Sequence, residues 1–166
     1  MKNLNIFLGI FSALAISRFI PHPPNFTIAI ALSFYVPYIF GQNKLFYVLI
    51  SFIITDFIIG YHLLTHWTWG SILAISLISN FFLKNIQFIY LGLCLSTLIF
   101  FIITNFGVWT LGNYGYTVGG LIECFILAIP FYGNTLISSL FFATCIELLL
   151  FIIFKYKKKN KSIMKR

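Results

Sequence analysis

Acid is nearly missing from this sequence. Asp and Glu together number three in 166 residues, and charged residues of both signs make up 8%. Soluble domains carry about a quarter of their residues as charge, so a water-exposed domain is excluded. Cysteine is scarce as well. Cys94, Cys124 and Cys145 are odd in number, lie in apolar runs and lack metal-ligand spacing, so neither a disulfide nor a metal cluster is expected. Catalytic signatures are missing too. The chain has no His-Glu-x-x-His, no Gly-x-Ser-x-Gly and no Gly-x-x-x-x-Gly-Lys phosphate loop, so it is not expected to be an enzyme or to hydrolyse ATP by these motifs. His62 and His66 stand four apart, a spacing that suits a metal on a helix, but no third ligand accompanies them. No cofactor and no metal are expected.

What the chain has is apolar length. Hydrophobic residues make up 60% and aromatic residues 20%. A membrane-spanning helix needs about 20 apolar residues. The apolar runs are 4–20, 26–40, 45–60, 71–83, 88–109, 118–132 and 134–154, with Pro37 inside the second. Asn25 is expected to cap the second run. Lys2 and the short apolar run after it loosely resemble a signal peptide, but the run continues to Ile20, which favours an uncleaved first helix.

The stretch Arg18–Thr27 organises the rest. It holds a cation, His22, Asn25 and three of the five prolines, Pro21, Pro23 and Pro24. Lipid does not solvate free backbone groups, so such a break belongs at an interface or inside protein. Charge then sets the topology. Seven of the 11 Lys and Arg lie in the tail 155–166. A basic tail directly after an apolar run marks the cytoplasmic side in preference to nucleic acid. If the run 118–132 does not cross, Lys2, Lys44, Lys84 and the tail are all cytoplasmic and only Arg18 is outside. The expected fold is therefore an all-α integral membrane protein with six transmembrane helices and a short outer-face or re-entrant helix near 118–132. One transmembrane domain occupies 1–154, a basic cytoplasmic tail follows at 155–166, and both termini face the cytoplasm.

That topology sorts residues it was not built on. His22, His62, His66, Trp67, Trp69 and Trp109 all fall at the outer face, with Asp56 and Asn105 at the outer ends of their spans. Ionisable groups inside spans are costly and face a cavity or a partner. Arg18 and Asp56 lie at similar depth, which permits an ion pair. Glu123 is placed to face the same cavity or water, and Glu147 lies mid-run, where it is either protonated or meets a polar partner. Asn105 and Trp109 are four apart and share a helix face. The candidate solute-binding set is Arg18, His22, Asn25, Asp56, His62, Trp67, Asn105, Trp109 and Glu123, with Trp69 read as an interface-belt residue. Gly9, Ala13 and Ser17 form a small-residue stripe on the first helix, a face for a partner helix or for a neighbouring span.

The segments Pro21-His22-Pro23-Pro24-Asn25-Phe26-Thr27, Thr55-Asp56, Thr104-Asn105-Phe106-Gly107-Val108-Trp109 and Ile129–Leu136 resemble an uncharacterised bacterial family described as membrane transport proteins. The layout is also similar to the substrate-binding S components of energy-coupling factor transporters. That likeness implies capture of a vitamin-like or micronutrient solute at the outer face of the bacterial inner membrane. It further implies a transmembrane coupling protein with ATPases, contacted through an Ala-x-x-x-Ala face that here reads Ala13 and Ser17. The start Met1-Lys2-Asn3 lacks the Met-x-His of the nickel and cobalt members. Two other readings stay open: a membrane scaffold or assembly protein without ligand, and a membrane-embedded enzyme using outer His and acid residues.

Overall fold

The computed structural model describes residues 2–82 and 88–163. It contains six α-helices and, among the described residues, no strand: α1 (Lys2–Phe19), α2 (Ala29–Phe40), α3 (Leu45–Ile59), α4 (Thr65–Phe82), α5 (Ile89–Thr110) and α6 (Val118–Ile163), with a single 3-10 turn at Gln42–Lys44. The apolar runs appear as helices in order. The polar turn expected around Lys84 lies outside the described residues.

One boundary differs. The short helix expected near 118–132 and the last run are one continuous helix, α6, of 46 residues. Pro130 lies inside it. A proline removes one intrahelical hydrogen bond, which reads in sequence as a stop, but neighbouring groups within a bundle re-satisfy the freed carbonyl. The same helix carries on through Lys155 into the basic tail. Small residues line its inner side: Gly120, Cys124, Ala128, Thr135, Ser138, Ser139 and Ala143 are buried. Steps of four and seven link Gly120, Cys124, Ala128, Thr135, Ser139 and Ala143 on one face, with Ser138 beside them, and small side chains there let α6 lie close against α5.

α2 is the centre of the bundle. All nine residues from Ala29 to Pro37 are buried, and α2 packs on α3, α4, α5 and α6, while α1 packs on α3. Leu14, Val48, Phe52 and Ile72 fill one core cluster beside it, and Phe34, Tyr35, Ile75 and Leu93 fill another. Ser33, Ser51, Ser71, Ser96 and Thr97 are also inside, with their hydroxyls bonded to carbonyls of their own helices. Large apolar side chains point outward instead: Phe57 is 67% exposed, Phe81 77% and Phe151 64%. Polar inside and apolar outside suits an apolar surrounding. Three helical stretches, Gln42–Ile59, Ile89–Thr110 and Val118–Lys155, are long and apolar enough to cross a membrane. With 12 residues, α2 reaches only ~18 Å at 1.5 Å per residue, well short of a ~30 Å hydrocarbon core.

Glu147 finds its partner in the core. Tyr35 donates its hydroxyl to Glu147 Oε1 at 2.8 Å, which ties α2 to α6.

Candidate functional site

The break after α1 is a defined turn. Phe26 N–H donates to Pro23 O at 3.0 Å, Pro24 takes the second position, and Asn25 has φ +64 at the third. Proline followed by a left-handed residue is the signature of a type II turn, and asparagine tolerates that conformation. Asn25 is therefore not the cap of α2, contrary to expectation. Ile28 holds that position and supplies no side-chain bond. The turn is fastened to α6 instead: Asn134 Nδ2 donates to Pro24 O at 3.1 Å, Ser138 Oγ donates to Asn25 O at 3.4 Å, and Phe26 packs on Phe141 and Phe142.

Because α2 begins only at Ala29, the space beyond its first turn is not filled by helix. A cavity of about 410 Å³ occupies it. All six helices reach its wall, among them Arg18 from α1, Ala29 and Ile30 from α2, Asp56 from α3, Thr68 from α4, Asn105 from α5 and Thr135 from α6. His22, Asn25 and Thr27 of the proline-rich segment and His62 of the α3–α4 connection complete it.

The charges in the wall are paired. Arg18 Nη2 donates to Asp56 Oδ1 at 2.5 Å, and the side chains are only 14% and 5% exposed. Arg18 Nη1 also donates to the Thr55 hydroxyl and to Phe52 O, and the guanidinium stacks over the Phe52 ring at 4.0 Å. Trp69 Nε1 donates to the second Asp56 oxygen at 2.6 Å. Asp56 thus has both oxygens engaged. A buried carboxylate next to a guanidinium needs such extra bonds, because desolvation otherwise cancels the Coulomb gain.

Two histidines face the cavity with defined tautomers. His22 Nδ1 lies 2.7 Å from Pro23 O, which only accepts, so this nitrogen carries a proton. His62 Nδ1 accepts from Leu64 N–H at 3.2 Å, so the proton sits on its Nε2. Asn105 donates from Nδ2 to Phe101 O at 2.7 Å, one turn back on α5.

The structure brings six of the nine candidate residues to this cavity: Arg18, His22, Asn25, Asp56, His62 and Asn105. The other three lie elsewhere. Trp109 donates from its indole to Gly115 O at 3.0 Å and packs against Tyr116, so it clasps the 111–117 loop. The Trp67 ring packs on Phe106 and lies directly over Gly107, where an added Cβ would meet it at 2.4 Å. Glu123 is exposed on the first turns of α6. Trp69, expected as a belt residue, instead holds Asp56. Thr68, Thr104 and Thr135 are further wall residues that the sequence did not mark, since threonine in an apolar helix has no distinguishing pattern. The small stripe on α1 points two ways. Gly9 is exposed with no atom near its Cβ position, Ala13 packs against the core, and Ser17 Oγ accepts from Ile28 N–H at 3.4 Å.

The chain belongs to a family of unknown function, DUF6580, matched over residues 1–163. That match covers the proline-rich turn, the Arg18–Asp56–Trp69 group and the cavity. No curated protein and no solved structure matches the chain.

Proposed function

We propose that this chain is an integral membrane protein that captures a small solute in the cavity beyond α2. The cavity carries the reading. Its volume of about 410 Å³ falls within the range of roughly 300–1,000 Å³ typical of small-molecule sites. Its wall combines aromatic and aliphatic surface with a few fixed polar groups, the usual composition of such a site. Six crossings with both termini cytoplasmic put the cavity at the outer side of the bacterial inner membrane. On this reading α2 and its flanking turns complete one crossing together, and their irregular backbone is acceptable because it lies within protein. Read from the sequence, the order of apolar runs resembles the layout of an energy-coupling factor S component. Uptake would then draw on a separate coupling protein with ATPases, since the chain lacks a phosphate loop of its own.

The test is native mass spectrometry of the full chain released from its own membranes. A bound small molecule is expected on the wild type and is expected to be lost from Asn105→Phe, which fills the cavity. Identical spectra for the two would refute the reading.

A further inference from the structure

We infer that the cavity selects an uncharged, ring-bearing solute that donates hydrogen bonds to the α5–α6 wall. This deepens the solute-binding reading and rests on it.

Charge comes first. Arg18 and Asp56 are the only Lys, Arg, Asp or Glu side chains among the lining residues. Each is the other's counter-ion, and both are committed further, to Trp69, Thr55 and Phe52. A solute with net charge finds no free Lys, Arg, Asp or Glu side chain among the lining residues as its counter-charge and would have to break this buried pair to gain one. Entering unpaired or breaking the pair leaves an uncompensated ion in apolar surroundings, the most costly arrangement available there. A neutral solute meets no such penalty.

The hydrogen-bond pattern then sets polarity. Thr104 donates its hydroxyl to Phe100 O at 2.8 Å, Thr135 donates to Phe131 O at 2.9 Å, and Asn105 turns its amide to Phe101 O. A threonine hydroxyl has one proton, so Thr104 and Thr135 have lone pairs left to offer, and Asn105 has its carbonyl oxygen. These three groups accept, and a matching solute brings N–H or O–H groups to them, while the second Nδ2 proton of Asn105 and the Tyr132 hydroxyl stand beside them as donors. His62 lines the same cavity, and its protonated Nε2 is a donor that suits an acceptor on the solute. Phe52, Phe100, Phe101 and Tyr132 also line it, which favours a flat ring.

Benzamide, benzamidinium and benzoate share one ring and differ in charge, so they separate the possibilities. Binding of each to the full chain in nanodiscs is measured by ligand-observed NMR, with Asn105→Phe as the filled-cavity control and Val108→Phe as its replacement should the first not fold. Benzamide is expected to bind the wild type at least about tenfold tighter than either ion, a gap of roughly 1.4 kcal/mol, and to lose that binding when the cavity is filled. The double variant Thr104→Val/Thr135→Val is expected to weaken benzamide several-fold with the unfolding midpoint kept. If benzoate or benzamidinium binds as tightly and is displaced by filling, the cavity takes solutes but the uncharged class is wrong. If none of the three distinguishes wild type from filled cavity, the solute-binding reading itself fails.

Discussion

Replacing Arg18 with methionine isolates the interaction that closes one side of the cavity. Methionine keeps the aliphatic reach across the Phe52 ring but removes the charge and the donors to Asp56, Thr55 and Phe52 O. Asp56, 5% exposed, then retains only the Trp69 indole. Removing one member of a buried ion pair costs about 3–5 kcal/mol, because the remaining charge stays buried without compensation. Removing both members is different: apolar replacement of a whole buried pair is close to neutral in other proteins. In Arg18→Met/Asp56→Leu the remaining penalty comes from the orphaned Trp69 N–H, about 1–3 kcal/mol. The double variant is therefore expected to be more stable than Arg18→Met alone, a coupling that a double-mutant cycle reads directly. Reversible unfolding in mixed micelles, followed by far-ultraviolet circular dichroism, gives the three free energies. A loss below about 1 kcal/mol for Arg18→Met, or a double variant as damaged as the sum of the singles, would refute the account of this pair as buried and mutually dependent.

Three further outcomes follow from the geometry. Trp109→Phe keeps the ring packing on Phe106 and Tyr116 but deletes the bond to Gly115 O; faster amide exchange across 111–117 is expected with solute binding unchanged, and weakened binding would place Trp109 in the site after all. Gly120→Ala puts a Cβ 2.0 Å from Tyr114 O, a backbone atom, so a loss of at least about 1–3 kcal/mol is expected in the same unfolding assay, and wild-type stability would contradict the close approach. Reporter fusions at Lys44 and Lys161 are expected to report from the cytoplasmic side, and those at Trp67 and Tyr114 from the outer side. A tail that reports from the opposite side would overturn the topology.

The sequence carried the helices because apolar runs broken by Pro, Gly and Lys leave little choice of element. It also carried the gathering of Arg18, Asp56 and Asn105 at one cavity, since polar groups inside apolar runs stand out. Two kinds of information were hidden. The unity of α6 was obscured because Pro130 and Gly133 are ordinary stop signals, and only packing against α5 overrides them. The two tryptophans exchanged roles for a related reason. Trp109 shares a face with Asn105, but the left-handed glycines at 112 and 115 fold the following loop back beneath its indole. Trp69 gained Asp56 because α4 starts at Thr65, where the exchange between His62 and Thr65 fixes the helix entry. The threonines of the wall were invisible for the opposite reason: nothing local distinguishes Thr104 or Thr135 from any other threonine that bonds to its own helix.

The shortness of α2 divides the path across the protein unequally. On the membrane reading, a solute resting on Ala29 and Ile30 lies beside the Arg18–Asp56 pair, which lines the same cavity. Beneath it lies the column from Ala31 to Pro37, every residue of which is buried. Entry then calls for motion only in the turn regions above, around Pro23–Thr27 and the α3–α4 connection. If the proposed uptake holds, onward passage must displace that column, the most fully buried helix among the described residues, and the energetic work is concentrated there, in the floor of the cavity.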